Sequence, residues 1–150
     1  MIAIPPEVAI RGTIKPGSVY YFPEESFTSP DPHYFVVINI DPSTDEVILL
    51  VCASSKISKV EYRRVNCPAR TLVKISPTQY PDFAEDSILD CNVVHEKTVA
   101  QLVEKMSKGR LKLKTKMDMK FVQRLRRGVL RSPLIPRRIK QQLLSVNKCG

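Results

Sequence analysis

Residues 31–57 read DPHYFVVINIDPSTDEVILLVCASSKI. Two apolar runs, Tyr34–Ile40 and Val47–Cys52, flank a turn-rich insert, Asp41-Pro42-Ser43-Thr44-Asp45. One helix across 34–52 is excluded because Pro42 and the Ser-Thr-Asp cluster interrupt it. Both runs are too continuously apolar for a sheet with one wet face, so they read as buried strands joined in a hairpin. His33 stands just before the first run, and Ser54, Ser55 and Lys56 stand just after the second. A hairpin brings these groups to one end.

Working outward, Pro16-Gly17 signals a turn and Ser18–Phe22 (SVYYF) a short strand. Residues 23–33 form a polar loop whose three prolines forbid a central strand. Downstream, Val60–Val65 and Thr71–Ile75 are strand candidates around the turn Asn66-Cys67-Pro68, and Ile88-Leu89 marks an apolar patch within 86–92. Five or six short strands with short polar turns predict a mainly β fold, a small, strongly curved barrel. From His95 the period changes. Val99, Leu102, Val103 and Met106 follow helical spacing, and Gly109 stands at the expected C-cap. LKLKTKM (111–117) alternates as an edge strand or extended arm. Asp118 is placed to cap a helix carrying Phe121, Val122 and Leu125. Ser132-Pro133 breaks that helix, and Pro136 starts a last one with Ile139, Leu143 and Val146. The division is a β-body with its first helix over 1–110 and a basic helical extension over 111–150, packed on the same domain.

Charge follows the same division. Residues 1–95 hold 8 Lys+Arg against 12 Asp+Glu, and residues 96–150 hold 16 against 3, within a net charge of +9. A basic flank on an acidic body suits a polyanion, nucleic acid above all; a solvated helical surface is the plainer alternative. The N-terminus lacks the pattern of a signal peptide, and no run approaches the roughly 18 apolar residues of a membrane helix. A cytoplasmic protein with no membrane partner is expected. Cys52, Cys67, Cys91 and Cys149 are dispersed, without a C-x-x-C pair, and neither His33 nor His95 stands at ligand spacing from a cysteine. Reduced thiols and no metal or other cofactor are expected.

Four segments resemble the MazF/PemK-like toxins, the endoribonucleases of toxin–antitoxin systems. Ile14-Lys15-Pro16-Gly17-Ser18-Val19-Tyr20 is similar to that family's opening strand, and His33-Tyr34-Phe35-Val36-Val37-Ile38-Asn39 to its R-P-x-V-V-V-S-N strand. Ile48–Ser55 is similar to its V-x-V-x-P-I/L-T-S strand, and Asp90-Cys91-Asn92 to the segment leading into its later helical part. The resemblance covers roughly residues 12–110. It implies an SH3-like barrel, metal-independent cleavage of single-stranded RNA, an acidic antitoxin as partner, and a homodimer. Two positions depart from the pattern. Asp31-Pro32-His33 stands where the family carries an arginine taken to help cleave RNA, and Ser18 replaces an aspartate.

Metal-free RNA cleavage needs a base near the 2′-hydroxyl, a cation for the phosphorane and an acid for the 5′-oxygen. His33 suits the proton-transfer roles, with a loop histidine touching Tyr34 or solvent as the alternative. Ser54 and Ser55 can hydrogen-bond a phosphate and Lys56 can neutralise it, although serines after a strand are commonly turn formers. Arg63 and Arg64 are the substitutes for the family arginine. If 60–65 is a strand they point to opposite faces, with Arg64 beside Tyr62 and chosen as the catalytic cation. Tyr20, Tyr21, Tyr34 and Phe35 can stack bases or fill the core. Arg124 and Arg127, with their basic neighbours, can extend an RNA track. The expected site is therefore His33, Ser54 and Arg64 as catalytic residues, with Tyr20, Ser55, Lys56, Arg63, Arg124 and Arg127 binding RNA. A non-catalytic RNA- or protein-binding module of the same fold is the alternative, and a helix-turn-helix DNA binder over 117–146 a weaker third.

Overall fold

The computed structural model describes residues 4–144, so the expected helical position Val146 and the thiol Cys149 lie outside the described residues. Helix α1 (Pro6–Thr13) precedes strands β1 (Val19–Pro23), β2 (Pro32–Val37) and β3 (Val47–Ser54). Helix α2 (Ile57–Arg63), a 3-10 turn (Ala69–Thr71), β4 (Leu72–Ile75), β5 (Ser87–Asp90) and β6 (His95–Thr98) follow. The chain then runs through α3 (Val99–Ser107), β7 (Lys112–Lys114), α4 (Met119–Arg131) and α5 (Arg137–Leu144). The strands form one antiparallel sheet in the order β4-β5-β3-β2-β1-β7, with β6 also on β3.

The hairpin read from the opening stretch is present, with Phe35 opposite Cys52, Val36 opposite Val51 and Val37 opposite Leu50. Its turn is held by Asn39. The Asn39 side chain donates to Asp45 Oδ2 at 2.9 Å and to the Val47 carbonyl at 3.0 Å, and accepts from the Leu49 amide at 2.7 Å. A buried amide with all these bonds made closes the hairpin without an unmet polar group.

Barrel closure is not what buries the strands. The terminal strands of the order, β4 and β7, are not paired to each other, and the sheet stays open. Helices cover both faces instead. Tyr20, Phe22, Phe35, Val37, Ile48 and Leu50 pack with Ile10 and Ile14 of α1 and with Val99 and Leu102 of α3. On the other face, Val19, Val36, Leu49 and Val51 pack with Phe121, Val122, Leu125 and Val129 of α4 and with Ile139 and Leu143 of α5. Strands with two covered faces lose their alternation, which accounts for the continuous apolar runs. The fold is mixed α/β, with helices before, within and after the sheet.

Three local expectations change. VEYRRV is not a strand: 57–63 is α2, which buries Val60 and leaves Tyr62 and Arg63 exposed. The N-terminal helix α1, entered through Pro5-Pro6, was not anticipated. His95 begins strand β6 rather than the helix, which is capped at Thr98 through reciprocal bonds with Gln101. The other C-terminal readings stand. Asp118 accepts from the Lys120 amide at 2.9 Å, β7 is an edge strand on β1, and Ser132-Pro133 separates α4 from α5. Because β7 adds to β1, residues 112–114 belong to the same sheet as the β-body. Gly17, at φ +89°, makes the turn before β1, and a Cβ there would stand 2.8 Å from the Met117 carbonyl oxygen.

Candidate functional site

The pairing of β2 and β3 stops at Phe35–Cys52, short of the positions that would next face each other, Tyr34 with Ala53 and His33 with Ser54. Beyond that point β2 stays paired to β1, Phe22 opposite His33, while β3 turns to β5, Ser54 opposite Ile88. The two strands splay and a cleft opens between them. It has a volume of about 630 Å³ and is lined by Tyr21, Phe27, His33, Tyr34, Ser54, Ser55 and Lys56, with Asp31 and Glu85 adding negative charge. A smaller cavity of about 230 Å³ shares Phe27, His33 and Ser54 with it and adds Cys52, Arg63, Asp90 and His95.

His33 and His95 come to this place from β2 and β6 and meet the same ring. The centroids of their imidazoles lie 5.0 and 5.5 Å from that of Phe27, each edge-to-face, and His95 also lies edge-on to Phe35 at 5.3 Å. The His33 Nδ1 is buried and has no hydrogen-bond partner among the described residues. The His95 pKa is lowered from its ordinary 6.5, mainly by burial, with Lys97 and His33 acting in the same direction against Glu24 and Asp90. A neutral imidazole at neutral pH can take a proton. His95 is the functional candidate that sequence reasoning missed. Its one signal was being the second of two histidines, weighed only as a metal ligand.

The paired arginines divide differently from the strand reading. Arg64 Nε donates to Asp90 Oδ2 at 2.8 Å, with only 16% of its side chain exposed, and it does not line the cavity. Arg63 is 52% exposed, lies 3.9 Å from the same carboxylate and does line the cavity beside His33, Ser54 and His95. Arg63 is the last residue of α2 and Arg64 its C-cap, so the end of the helix gives one arginine to the cavity and the other to the fold. Ser54 Oγ accepts from the Lys56 amide at 3.1 Å, which leaves its O–H free to donate.

Tyr20 is core, 1% exposed, with its hydroxyl 3.2 Å from Thr13 Oγ1, so it cannot stack on a base. Tyr21 and Tyr34, on the opposite face of their strands, are half-buried with ring centroids 4.5 Å apart, and Lys114 Nζ lies 5.0 Å over Tyr21. This pair provides the aromatic wall of the cleft. Burial pushes the Cys52 and Cys91 thiols up to about 12, which removes them as nucleophiles. Among the described residues, no group of three His, Cys, Asp or Glu side chains converges as a metal cluster would. None of the described helices is long and apolar enough to cross a membrane.

Arg124 and Arg127 lie away from the histidines, in a separate groove against β4. Arg126, between them, is used by the fold, donating Nε to the Ile38 carbonyl at 2.7 Å and a terminal nitrogen to the Asn39 carbonyl at 2.8 Å. Neither the protein-family models nor the curated proteins include a match to this chain.

Proposed function

We propose that the splayed strand end is a metal-independent ribonuclease site acting on single-stranded RNA. The observation that carries this reading is the convergence of His33, His95, Ser54 and Arg63 on one cavity, beside an aromatic wall. His95, held neutral, accepts the 2′-hydroxyl proton. The 2′-oxygen attacks phosphorus, the bond to the 5′-oxygen breaks, and His33, as the general acid, supplies the leaving oxygen with its proton. Arg63 and the Ser54 hydroxyl bear the charge that builds on the phosphorane. The products are a 2′,3′-cyclic phosphate and a 5′-hydroxyl. Tyr21 and Tyr34 hold a neighbouring base, with Ser55 and Lys56 on the adjoining phosphate.

Within this reading the protein is a cytoplasmic toxin related to the MazF/PemK-like group. Its open sheet is taken as a relaxed relative of the SH3-like barrel, and an acidic antitoxin and a second copy are its protein partners. The test is incubation with mixed-sequence RNA in EDTA, with the product ends identified by mass spectrometry. Cyclic phosphate ends that disappear in His33→Ala support the reading, and intact RNA contradicts it. A second reading, a non-catalytic binding module, draws on Asp31 and Glu85 in the cleft and on the separate groove lined by Arg70, Arg124, Arg127 and Arg131. Salt-sensitive RNA binding without cleavage would select it.

A further inference from the structure

We infer that the groove between α4 and the 3-10 turn leading into β4 is a second RNA contact, a clamp for the phosphodiester backbone. The inference rests on the RNA reading above but concerns other residues. The groove encloses about 430 Å³ and is lined by Arg70, Leu72, Val73, Arg124, Arg127 and Arg131. It shares no lining residue with either histidine cavity. The Lys74–Glu61 ion pair, 2.8 Å long, places α2 on the face of β4 opposite the Val73 side, which packs with α4.

Helix α4 carries five basic residues and no acidic one. Arg124, Arg127 and Arg131 fall at i, i+3 and i+7, on one face, where like charges oppose helix formation. Arg126 is committed to the two carbonyls at the end of β2, and Arg138 to Glu96, with contacts of 2.5 and 2.9 Å. The four groove arginines have no carboxylate within ion-pair distance among the described residues; Arg127 Nε reaches only the Gln123 carbonyl, at 3.3 Å. The fold does not use their charge. It does bring them together: Gly128 lets α4 approach so closely that a Cβ there would stand 3.0 Å from the Arg70 carbonyl oxygen. From Arg124 to Arg131 the row is about 10 Å long at 1.5 Å per residue. That exceeds the roughly 3 Å reach of a single hydrogen-bonded anion and matches a chain with a fixed charge at every unit. Guanidinium groups bind phosphate through paired donors and also stack on bases, which favours RNA over a carboxylate tail.

The test is fluorescence anisotropy with a labelled 2′-O-methyl RNA of about 20 nucleotides, which cannot be cleaved by its own 2′-hydroxyl. The proteins are the wild type, Arg124→Gln/Arg127→Gln, and Arg137→Gln as a surface control. The double variant is expected to bind at least tenfold more weakly and to flatten the salt dependence by roughly 0.7 per lost phosphate contact. It should keep the thermal midpoint of the wild type, and the control should bind unchanged. Equal affinity and salt slope in the double variant would overturn the clamp and leave the cleft reading standing. No RNA binding by the wild type would overturn both. Competition by polyglutamate of equal length, or by millimolar inorganic phosphate, as effective as competition by RNA would assign the groove to an acidic protein or a small anion instead.

Discussion

Arg64 donates its Nε to Asp90 Oδ2 at 2.8 Å, and this bond decides which of two adjacent arginines faces the cavity. With Asp90 at the end of β5 holding Arg64 against the sheet, the neighbouring Arg63 is left half-exposed at the mouth. The two substitutions should therefore separate. Arg64→Ala removes the shorter of two arginine contacts to Asp90, whose other oxygen keeps its bonds from Asn92, and is expected to cost about 1.5–3 kcal/mol in urea unfolding. Arg63→Ala should change stability by no more than about 0.5 kcal/mol and lower RNA cleavage instead. The reverse pattern would return Arg64 to the catalytic role that the strand reading gave it.

His95 makes stability depend on pH. Its pKa in the folded protein lies below the ordinary 6.5, mainly through burial. Above that value both states hold it neutral and it contributes nothing. As pH falls below 6.5 the unfolded chain takes up the proton first, so stability declines until the folded imidazole also titrates. Urea midpoints measured from pH 7.5 to 5 should fall more steeply for the wild type than for His95→Gln. Parallel slopes would place the imidazole in a wetter setting than Phe27 and Phe35 provide.

A second acid-sensitive element lies nearby. Burial alone would raise the Glu24 carboxyl, but the Lys97 ammonium, at 2.8 Å, and the Ser26 hydroxyl outweigh it and hold the pKa at about 2, against 4.5 for the free side chain. The shift runs the same way as that of His95 but from the opposite cause, because here the charged form is the one favoured. Stability from Glu24 is complete above 4.5 and is lost as pH falls through about 2. Glu24→Gln should flatten the acid limb of the unfolding curve below pH 4.5. Lys97→Met, which leaves the carboxylate unpaired, should cost about 3 kcal/mol at pH 7.

Gly128 supplies a test of packing. A Cβ at this position would lie 2.8 Å from Cys91 Sγ, 2.9 Å from Cys91 Cβ and 3.0 Å from the Arg70 carbonyl oxygen. Gly128→Ala gains about 1 kcal/mol in helix propensity and loses about 1–3 kcal/mol to overpacking. A net loss is expected, with a lower thermal midpoint. A rise in the midpoint would show that α4 can move away from Cys91 and Arg70 without strain.

How far the fold was legible depended on what covered each strand. The runs around Asp41–Asp45 are buried on both faces, and their unbroken hydrophobicity said so. Whether a closed barrel or flanking helices did the covering is a tertiary matter on which the runs are silent. VEYRRV misled because the β-branched ends Val60 and Val65 and the aromatic Tyr62 outweighed a pattern with only Val60 buried, and one buried residue defines no period. Helix α1 hid behind Pro5-Pro6, which reads as a breaker although proline is favoured in a first turn. The cleft was half legible. Hairpin logic put His33 and Ser54 at one end, where both line the cavity. His95 could not be placed with them, because the pairing of β6 with β3 joins segments more than forty residues apart. Tyr20 and Tyr21 could not be told apart until the register fixed which face was core.

The two-histidine ribonuclease site stands or falls on the single-turnover cleavage rate of a short single-stranded RNA in EDTA, for the wild type, His33→Gln and His95→Gln, with the 2′-deoxy substrate as control. Wild-type cleavage is expected, with a loss of about 10²–10⁴-fold in each histidine variant and no cleavage of the 2′-deoxy strand. Equal rates in the wild type and both variants, or no cleavage by any of them, would contradict it.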